Sequence, residues 1–85
     1  MSWVPLYRKK PVVIEARVYR RESPAQQDAI AEWCGGRPCL GGMFITTLGG
    51  EHLAKDGDYI VKGLVGEFYP VKPHVFHATY EAVDS

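Results

Sequence analysis

Residues 57–81 read GDYIVKGLVGEFYPVKPHVFHATYE, and this stretch decides the fold. Residues 59–62 and 67–71 are short runs rich in β-branched and aromatic side chains. The loop at 63–66 between these runs begins and ends with glycine, which permits a tight reversal of the chain. This order of strand, glycine loop and strand predicts a β-hairpin.

The segment after this hairpin contains Pro70 and Pro73. Proline has no N–H to donate and restricts the residue before it, so strand pairing is expected to stop there. Residues 77–83 then predict one more strand. We therefore expect the chain to fold around residues 57–81.

The N-terminal part of the chain predicts one strand. Residues 1–10 have no clean period and are expected to form an extended lead-in to a single domain that spans residues 1–85. Residues 11–19 alternate in polarity, which predicts a strand with one buried face. The apolar face carries Val12, Ile14, Ala16 and Val18.

An amphipathic helix is predicted over residues 24–34. Ser23 is a good N-cap, Pro24 suits the first helical position, and Gln26 stands where a capping box requires it. The glycines at 35 and 36 are expected to end the helix in a left-handed conformation. Its apolar stripe, which should cover the sheet through the tryptophan, comprises Ala29, Ile30, Trp33 and Cys34.

The middle of the chain predicts a second hairpin. Residues 37–42 have the composition of a loop, and strands at 43–48 and 51–54 flank Gly49-Gly50, which suits a type I′ turn. The whole pattern predicts an α+β fold. We expect a mostly antiparallel, strongly bent sheet of about five or six short strands, with the single helix packed on one face.

Size and composition exclude several classes of protein. With 85 residues, 46% of them hydrophobic, the chain has the composition of one globular domain and little room for a deep active-site cleft. No apolar run approaches the roughly 20 residues that span a membrane, and the N-terminus does not resemble a signal peptide. We expect a cytosolic protein.

The formal net charge is zero, but basic residues concentrate at the start of the chain. Residues 1–21 carry a net charge of +5 and residues 22–85 a net charge of −5. One interpretation is that a basic first strand lies beside acidic strands of the same sheet. The alternative is a nucleic-acid-binding surface, in which phosphates contact the basic side chains. That surface would comprise Arg8, Lys9, Lys10, Arg17, Arg20 and Arg21.

Motifs at both ends of the chain resemble a known family. They are YRKKPVVIEA at residues 7–16, GDYIVKG at 57–63, GEFYP at 66–70 and the pair Lys72-Pro73. The chain resembles small bacteriophage and prophage proteins that open with Tyr-Arg-Lys-Lys-Pro-Val and close with Gly-Glu-Phe-Tyr-Pro. The resemblance covers about a third of the chain and implies a phage origin, and hence a location in the host cytoplasm, but it implies no activity.

The sequence departs from that family pattern at three positions. Val71 stands where a cysteine is common, His74 where aspartate is common, and His77 where glutamate is common. Residues 20–40 do not match the family pattern at all.

Two cysteines and two histidines invite comparison with a zinc site. Cys34, Cys39, His74 and His77 would supply four ligands, but the C-x4-C spacing is wide for a zinc pair. The other interpretation is a buried helix thiol, an idle Cys39 and surface histidines. We expect no metal or cofactor, and no disulfide in a reducing cytosol.

No recognisable catalytic motif is present, so we expect a protein that is not an enzyme. The aromatic and proline-rich rim that ends the sheet has the composition of a protein interface. Its members are Tyr69, Lys72, Pro73 and Phe76. The leading hypothesis is a small phage accessory domain that binds a host protein or forms a homodimer, and nucleic-acid binding is the alternative.

Overall fold

A computed structural model describes residues 5–7 and 11–83 of the chain. These residues form six strands and two helices, which confirms the α+β class. In chain order the elements are β1 (Glu15–Val18), α1 (Pro24–Cys34), β2 (Arg37–Cys39), β3 (Gly42–Thr47), β4 (Gly50–Ala54), β5 (Tyr59–Lys62), β6 (Phe68–Val71) and α2 (Pro73–Thr79).

The strands form two antiparallel sheets of three strands each, so the prediction of one bent sheet was wrong. The first sheet has the order β1-β5-β6 and the second the order β2-β3-β4. The chain passes from the second sheet to the first through residues 55–58. The Asp58 carboxylate holds this turn by accepting a hydrogen bond from the Lys55 N–H at 2.9 Å. The chain leaves this turn beside β1, because the Tyr19 N–H donates to the Asp58 carbonyl at 2.8 Å.

The predicted hairpin at 59–71 is confirmed as β5 and β6, with Lys62 opposite Phe68. Gly66 has a φ of 87°, which a glycine adopts without steric cost, and it bonds back to the Gly63 carbonyl at 3.1 Å. Pro70 was expected to interrupt the strand pairing, but it lies within β6 opposite Ile60. An edge strand tolerates proline because its outward backbone groups need no partner strand.

The second sheet contains the other predicted hairpin and a strand that was not predicted. Residues 37–39, expected to be loop, form β2 because they pair with the start of β3, where Arg37 lies opposite Phe44. The β3–β4 turn is displaced by one residue, since Thr47 lies opposite Gly50. The turn is not of type I′, because type I′ needs a positive φ at both central residues and neither Leu48 nor Gly49 has one.

Helix α1 confirms its predicted start and end. The Ser23 hydroxyl accepts from the Gln26 N–H at 3.2 Å, and Gly35 adopts a left-handed conformation with φ 69°. Ile30 is the buried residue of the helix, and Trp33 is only half-buried. Ala29, placed on the apolar stripe by sequence, is exposed.

The main core lies between the two sheets and α1. Its buried members are Tyr19, Ile30, Met43, Ile45, Ala54 and Ile60. Trp33 packs against this core with its ring edge on Phe68, the two ring centroids being 5.0 Å apart. The helix therefore covers the sheets partly through the tryptophan, as predicted, and partly through the isoleucine.

The C-terminal segment is a helix where a strand was predicted. Residues 77–83 were expected to be extended, but α2 occupies Pro73–Thr79. Pro73 favours a helix here because the first helical position needs no N–H donor. Helical spacing then brings Phe76 and Tyr80 together, with ring centroids 5.1 Å apart.

Strand β1 is shorter than predicted. The sequence is strand-like over residues 11–19, but only Glu15–Val18 belong to the sheet. The partner strand β5 ends at Lys62, opposite Glu15, and the chain then turns at Gly63. Residues 11–14 therefore have no neighbour along β5 with which to pair.

Candidate functional site

The first sheet is covered on both faces, and its outer face carries an open groove. Strand register puts Ala16, Val18, Tyr59 and Val61 on the face opposite the main core. Helix α2 packs on this outer face through the Phe76 ring, and the cleft beside it has a volume of about 540 Å³. We name this cleft the aromatic groove. Its principal lining residues are Val12, Ile14, Ala16, Tyr59, Phe76 and Tyr80.

A stack of rings forms one side of the aromatic groove. The rings of Tyr59 and Phe76 are parallel to within 2°, with centroids 4.0 Å apart. His77 meets the Tyr59 ring edge-on at 5.3 Å, and its Nε2 lies 3.5 Å from the Tyr59 hydroxyl oxygen. Stacked and edge-on aromatic pairs are stabilising beyond the area that they bury. The stack therefore fixes α2 on the sheet and leaves ring surface facing the groove.

The opposite side of the groove is aliphatic and open to solvent. Val12, Val13 and Ile14 precede β1, and Ala82 and Val83 follow α2. Val13 is 77% exposed and Val83 is 68% exposed, so the groove has apolar walls that the described residues leave unfilled. Exposed apolar surface that is concentrated in one concave place is typical of a binding site.

A smaller cavity of about 190 Å³ lies beside the aromatic groove and shares Val12, Ile14 and Tyr80 with it. Tyr69 lines this cavity, and its hydroxyl lies 3.5 Å from that of Tyr80. Burial, together with the hydrogen bond to Tyr80, raises the pKa of Tyr69 to about 12. The neutral phenol is thus the form that the fold accommodates.

Glu67 also lines this smaller cavity. Its Oε2 is buried and has no hydrogen-bond partner among the described residues. The carboxylate covers Gly63, where any larger side chain would collide with it. Gly63 has no positive φ, and a Cβ at this position would require the Glu67 carboxylate to shift.

The four residues predicted to bind a partner have different environments. Phe76 lines the aromatic groove and Tyr69 lines the smaller cavity beside it. Lys72 instead forms an ion pair with Asp58, at 3.1 Å between Nζ and Oδ2, and Pro73 begins α2. The structure thus brings Tyr69 and Phe76 to one face and gives Lys72 and Pro73 roles within the fold.

The basic residues of the alternative interface are divided. Arg8, Lys9 and Lys10 lie outside the described residues. The remaining three basic residues are Arg17, Arg20 and Arg21.

The side chains of Arg17 and Arg20 meet acidic groups of the same domain. Arg17 pairs with Glu15 at 3.2 Å and lies over the Trp33 ring, and Arg20 pairs with Asp56 at 4.0 Å. The Arg21 backbone N–H donates to Asp56 at 2.7 Å. The excess positive charge in residues 1–21 is therefore compensated in part within the domain.

The four proposed zinc ligands do not form a site. Within residues 5–7 and 11–83, no group of three or more His, Cys, Asp or Glu side chains is arranged to hold a metal ion. Cys34 packs against the main core, where burial raises the pKa of its thiol. His74 and His77 are exposed on α2 at the other side of the first sheet.

Sequence reasoning missed Tyr59, Tyr80 and Val12 as members of the groove lining. A signal was present, because Pro73 at a helix start and an aromatic pair at positions 76 and 80 fit a helix better than a strand. The role of Val12 and Ile14 had no comparable signal. They line the groove only because β5 stops before it reaches them.

Comparisons with protein-family models, with curated proteins and with solved structures give no match to this chain. Neither helix in the described part of the chain has the length and apolar character required to cross a membrane.

Proposed function

We propose that this domain is a non-enzymatic protein-binding module and that the aromatic groove receives an apolar segment of a partner protein. One observation carries the proposal: an open cleft of about 540 Å³ lined by aromatic and aliphatic side chains. Such a lining suits apolar side chains of a peptide, while the Tyr59 hydroxyl and His77 ring at the rim provide polar contacts.

The chemistry of the lining supports binding over catalysis. Val12, Ile14, Ala16 and Phe76 carry no ionisable group. The ionisable side chains of the lining are those of Tyr59, His77, Tyr80 and Glu81; His77 contacts the Tyr59 ring, and Glu81 lies on the exposed segment after α2. A catalytic centre needs a nucleophile or base held by a third group. The residues that surround the groove are better suited to van der Waals contact than to proton transfer.

The proposal extends to origin and location through the sequence motifs alone. The resemblance of residues 7–16 and 57–70 to small phage proteins supports a phage or prophage origin. The partner sought is then a bacterial host protein in the host cytoplasm.

The test is affinity capture from bacterial lysate with a groove variant and a matched control. Val83→Asp puts a charge on an exposed groove wall, and Leu48→Asp makes the same kind of change at the β3–β4 turn, outside the groove. We expect a captured protein to be retained by Leu48→Asp and reduced about tenfold by Val83→Asp, since a buried carboxylate without a partner is costly.

Equal recovery with both variants, or no protein enriched above background, would overturn the proposal. A parallel titration with a labelled oligonucleotide at low salt examines the alternative function. Binding that weakens steeply as salt rises would indicate phosphate contacts and would favour a nucleic-acid interface instead.

A further inference from the structure

Among the residues that the structure describes, the outer edge of β1 is an open strand edge. In the first sheet β1 has β5 as its neighbour on one side, and no described strand pairs with its other side. The Tyr19 N–H donates toward β5, and backbone groups alternate in direction along a strand. The N–H and C=O groups of Ala16 and Val18 therefore point away from β5, toward this edge.

A side-chain contact confirms that direction. The Gln26 amide donates to the Val18 carbonyl at 3.4 Å, which it reaches from α1 and not from β5. By the same alternation, Ile14 and Ala16 direct their backbone groups outward as well. The described residues supply no backbone partner for those groups.

The sequence of this edge is complementary to itself. Glu15 and Arg17 flank Ala16, and both side chains are about half exposed. If two copies of β1 pair antiparallel about Ala16, Glu15 of each copy lies opposite Arg17 of the other. Registers centred on Glu15 or on Arg17 would put like charges opposite each other, which is unfavourable. Charge thus favours the register centred on Ala16 over the two centred on Glu15 and Arg17.

The same register also accounts for residues 11–14. They are strand-like in sequence, and β5 is too short to pair with them. Pairing about Ala16 places Ile14 opposite Val18 of the other copy, so that about six backbone hydrogen bonds form across the edge. The Val18 carbonyl retains the Gln26 contact, because an oxygen has two lone pairs.

We propose that the chain forms a homodimer by antiparallel pairing of β1 with β1 of a second copy, centred on Ala16. The two first sheets then join into one sheet, and the two aromatic grooves lie on the same face of it. The inference rests on the proposed function, which is protein binding, and it identifies a second copy of the chain as one of the bound proteins. A groove-bound host protein is a separate partner.

Charge reversal tests the register directly. Glu15→Arg places arginine opposite arginine across the paired edges, and Arg17→Glu places glutamate opposite glutamate, so each variant alone should dimerise at least about tenfold more weakly. A mixture of the two variants forms a heterodimer in which each of the two cross-strand positions pairs arginine with glutamate, so mixing should restore dimerisation. The double variant Glu15→Arg/Arg17→Glu is again self-complementary and should dimerise like the natural chain.

The measurements are sedimentation velocity from low micromolar to millimolar concentration and amide hydrogen exchange of Ala16. Exchange of this amide should slow as concentration rises, because its N–H points to the edge and not to β5. Glu32→Arg, an equal charge change on the exposed side of α1, should leave the dimer unchanged. Arg17 also lies over the Trp33 ring, so the melting temperature of Arg17→Glu is measured to detect a loss of stability. Glu15→Arg keeps the contact between Arg17 and Trp33 and tests the register without that loss.

A natural chain that stays monomeric at millimolar concentration overturns the dimer. So does a dimer that neither charge reversal weakens, or a double variant that fails to recover while its melting temperature stays near that of the natural chain. These results leave the groove proposal intact if Val83→Asp still reduces capture of a host protein about tenfold. A dimer that forms as expected, without any groove-dependent partner, would instead overturn the groove proposal alone.

Discussion

Removal of the Asp58 carboxylate should destabilise the domain, because this group joins the turn at 55–58 to the start of α2. The side chain is 5% exposed and accepts from the Lys55 N–H at 2.9 Å and from the Lys72 ammonium at 3.1 Å. The backbone of the same residue bonds to Tyr19. Asp58→Ala therefore disconnects the turn at 55–58 from the start of α2 while leaving the backbone pairing in place.

The magnitude follows from the two contacts that the substitution removes. A partly buried N–H left without an acceptor, as at Lys55, costs about 1–3 kcal/mol. The ion pair with Lys72, whose side chain is 53% exposed, contributes about 0.5–1 kcal/mol after solvent screening. We expect Asp58→Ala to lower the free energy of unfolding by about 1.5–4 kcal/mol, and Lys72→Met by about 1 kcal/mol.

The assay is urea denaturation followed by tryptophan fluorescence, with the two single variants and the double variant. The double variant should cost less than the sum of the singles, since both singles break the same pair. Asp28→Ala, on the exposed side of α1, is the control and should stay within about 0.5 kcal/mol of the natural chain. A cost below about 1 kcal/mol for Asp58→Ala, or strictly additive effects, would refute the reasoning.

Three further predictions concern the aromatic residues. Trp33→Ala should lower the free energy of unfolding by about 2–4 kcal/mol, because the half-buried ring packs on Phe68; a melting temperature near that of the natural chain would contradict this packing. Phe76→Ala should reduce both partner capture and stability, since the half-buried ring stacks on Tyr59 and also lines the groove; an effect on stability alone would exclude the ring from the interface. In an ultraviolet titration the Tyr69–Tyr80 pair should show a tyrosinate that forms at about pH 12, and Tyr69→Phe should remove it. The folded-state pKa is raised, so the associated stabilisation is complete below the ordinary pKa of about 10 and is lost as pH rises toward 12; equal alkaline unfolding curves for both chains would refute it.

The candidate site was only partly accessible from the sequence. The clustering of aromatic residues near two prolines predicts Tyr69 and Phe76 as contact residues, and both do line cavities on one face. The same reasoning predicts Lys72, but it is held by Asp58. Composition identifies a region rich in contact-making residues. It does not show which side chain finds its partner inside the domain.

Local sequence determined the elements whose signals are backbone signals. Ser23 and Gly35 fixed the ends of α1, because a hydroxyl cap and a left-handed glycine act on the residues beside them. The glycine loop at 63–66 likewise fixed the β5–β6 hairpin. In each case the interacting groups lie within a few residues of one another, so their spacing along the chain is already their spacing in the structure.

Only the tertiary structure decided which strands share a sheet and where β1 ends. The pairing of Tyr19 with Asp58 joins residues far apart in the chain, and the length of β5 limits the paired part of a strand-like segment. The aromatic groove results from this limit, and the open edge results from the position of β1 at the end of the strand order in the first sheet. Partner choice between distant strands depends on how all the apolar faces pack together, and no single segment of sequence contains that information.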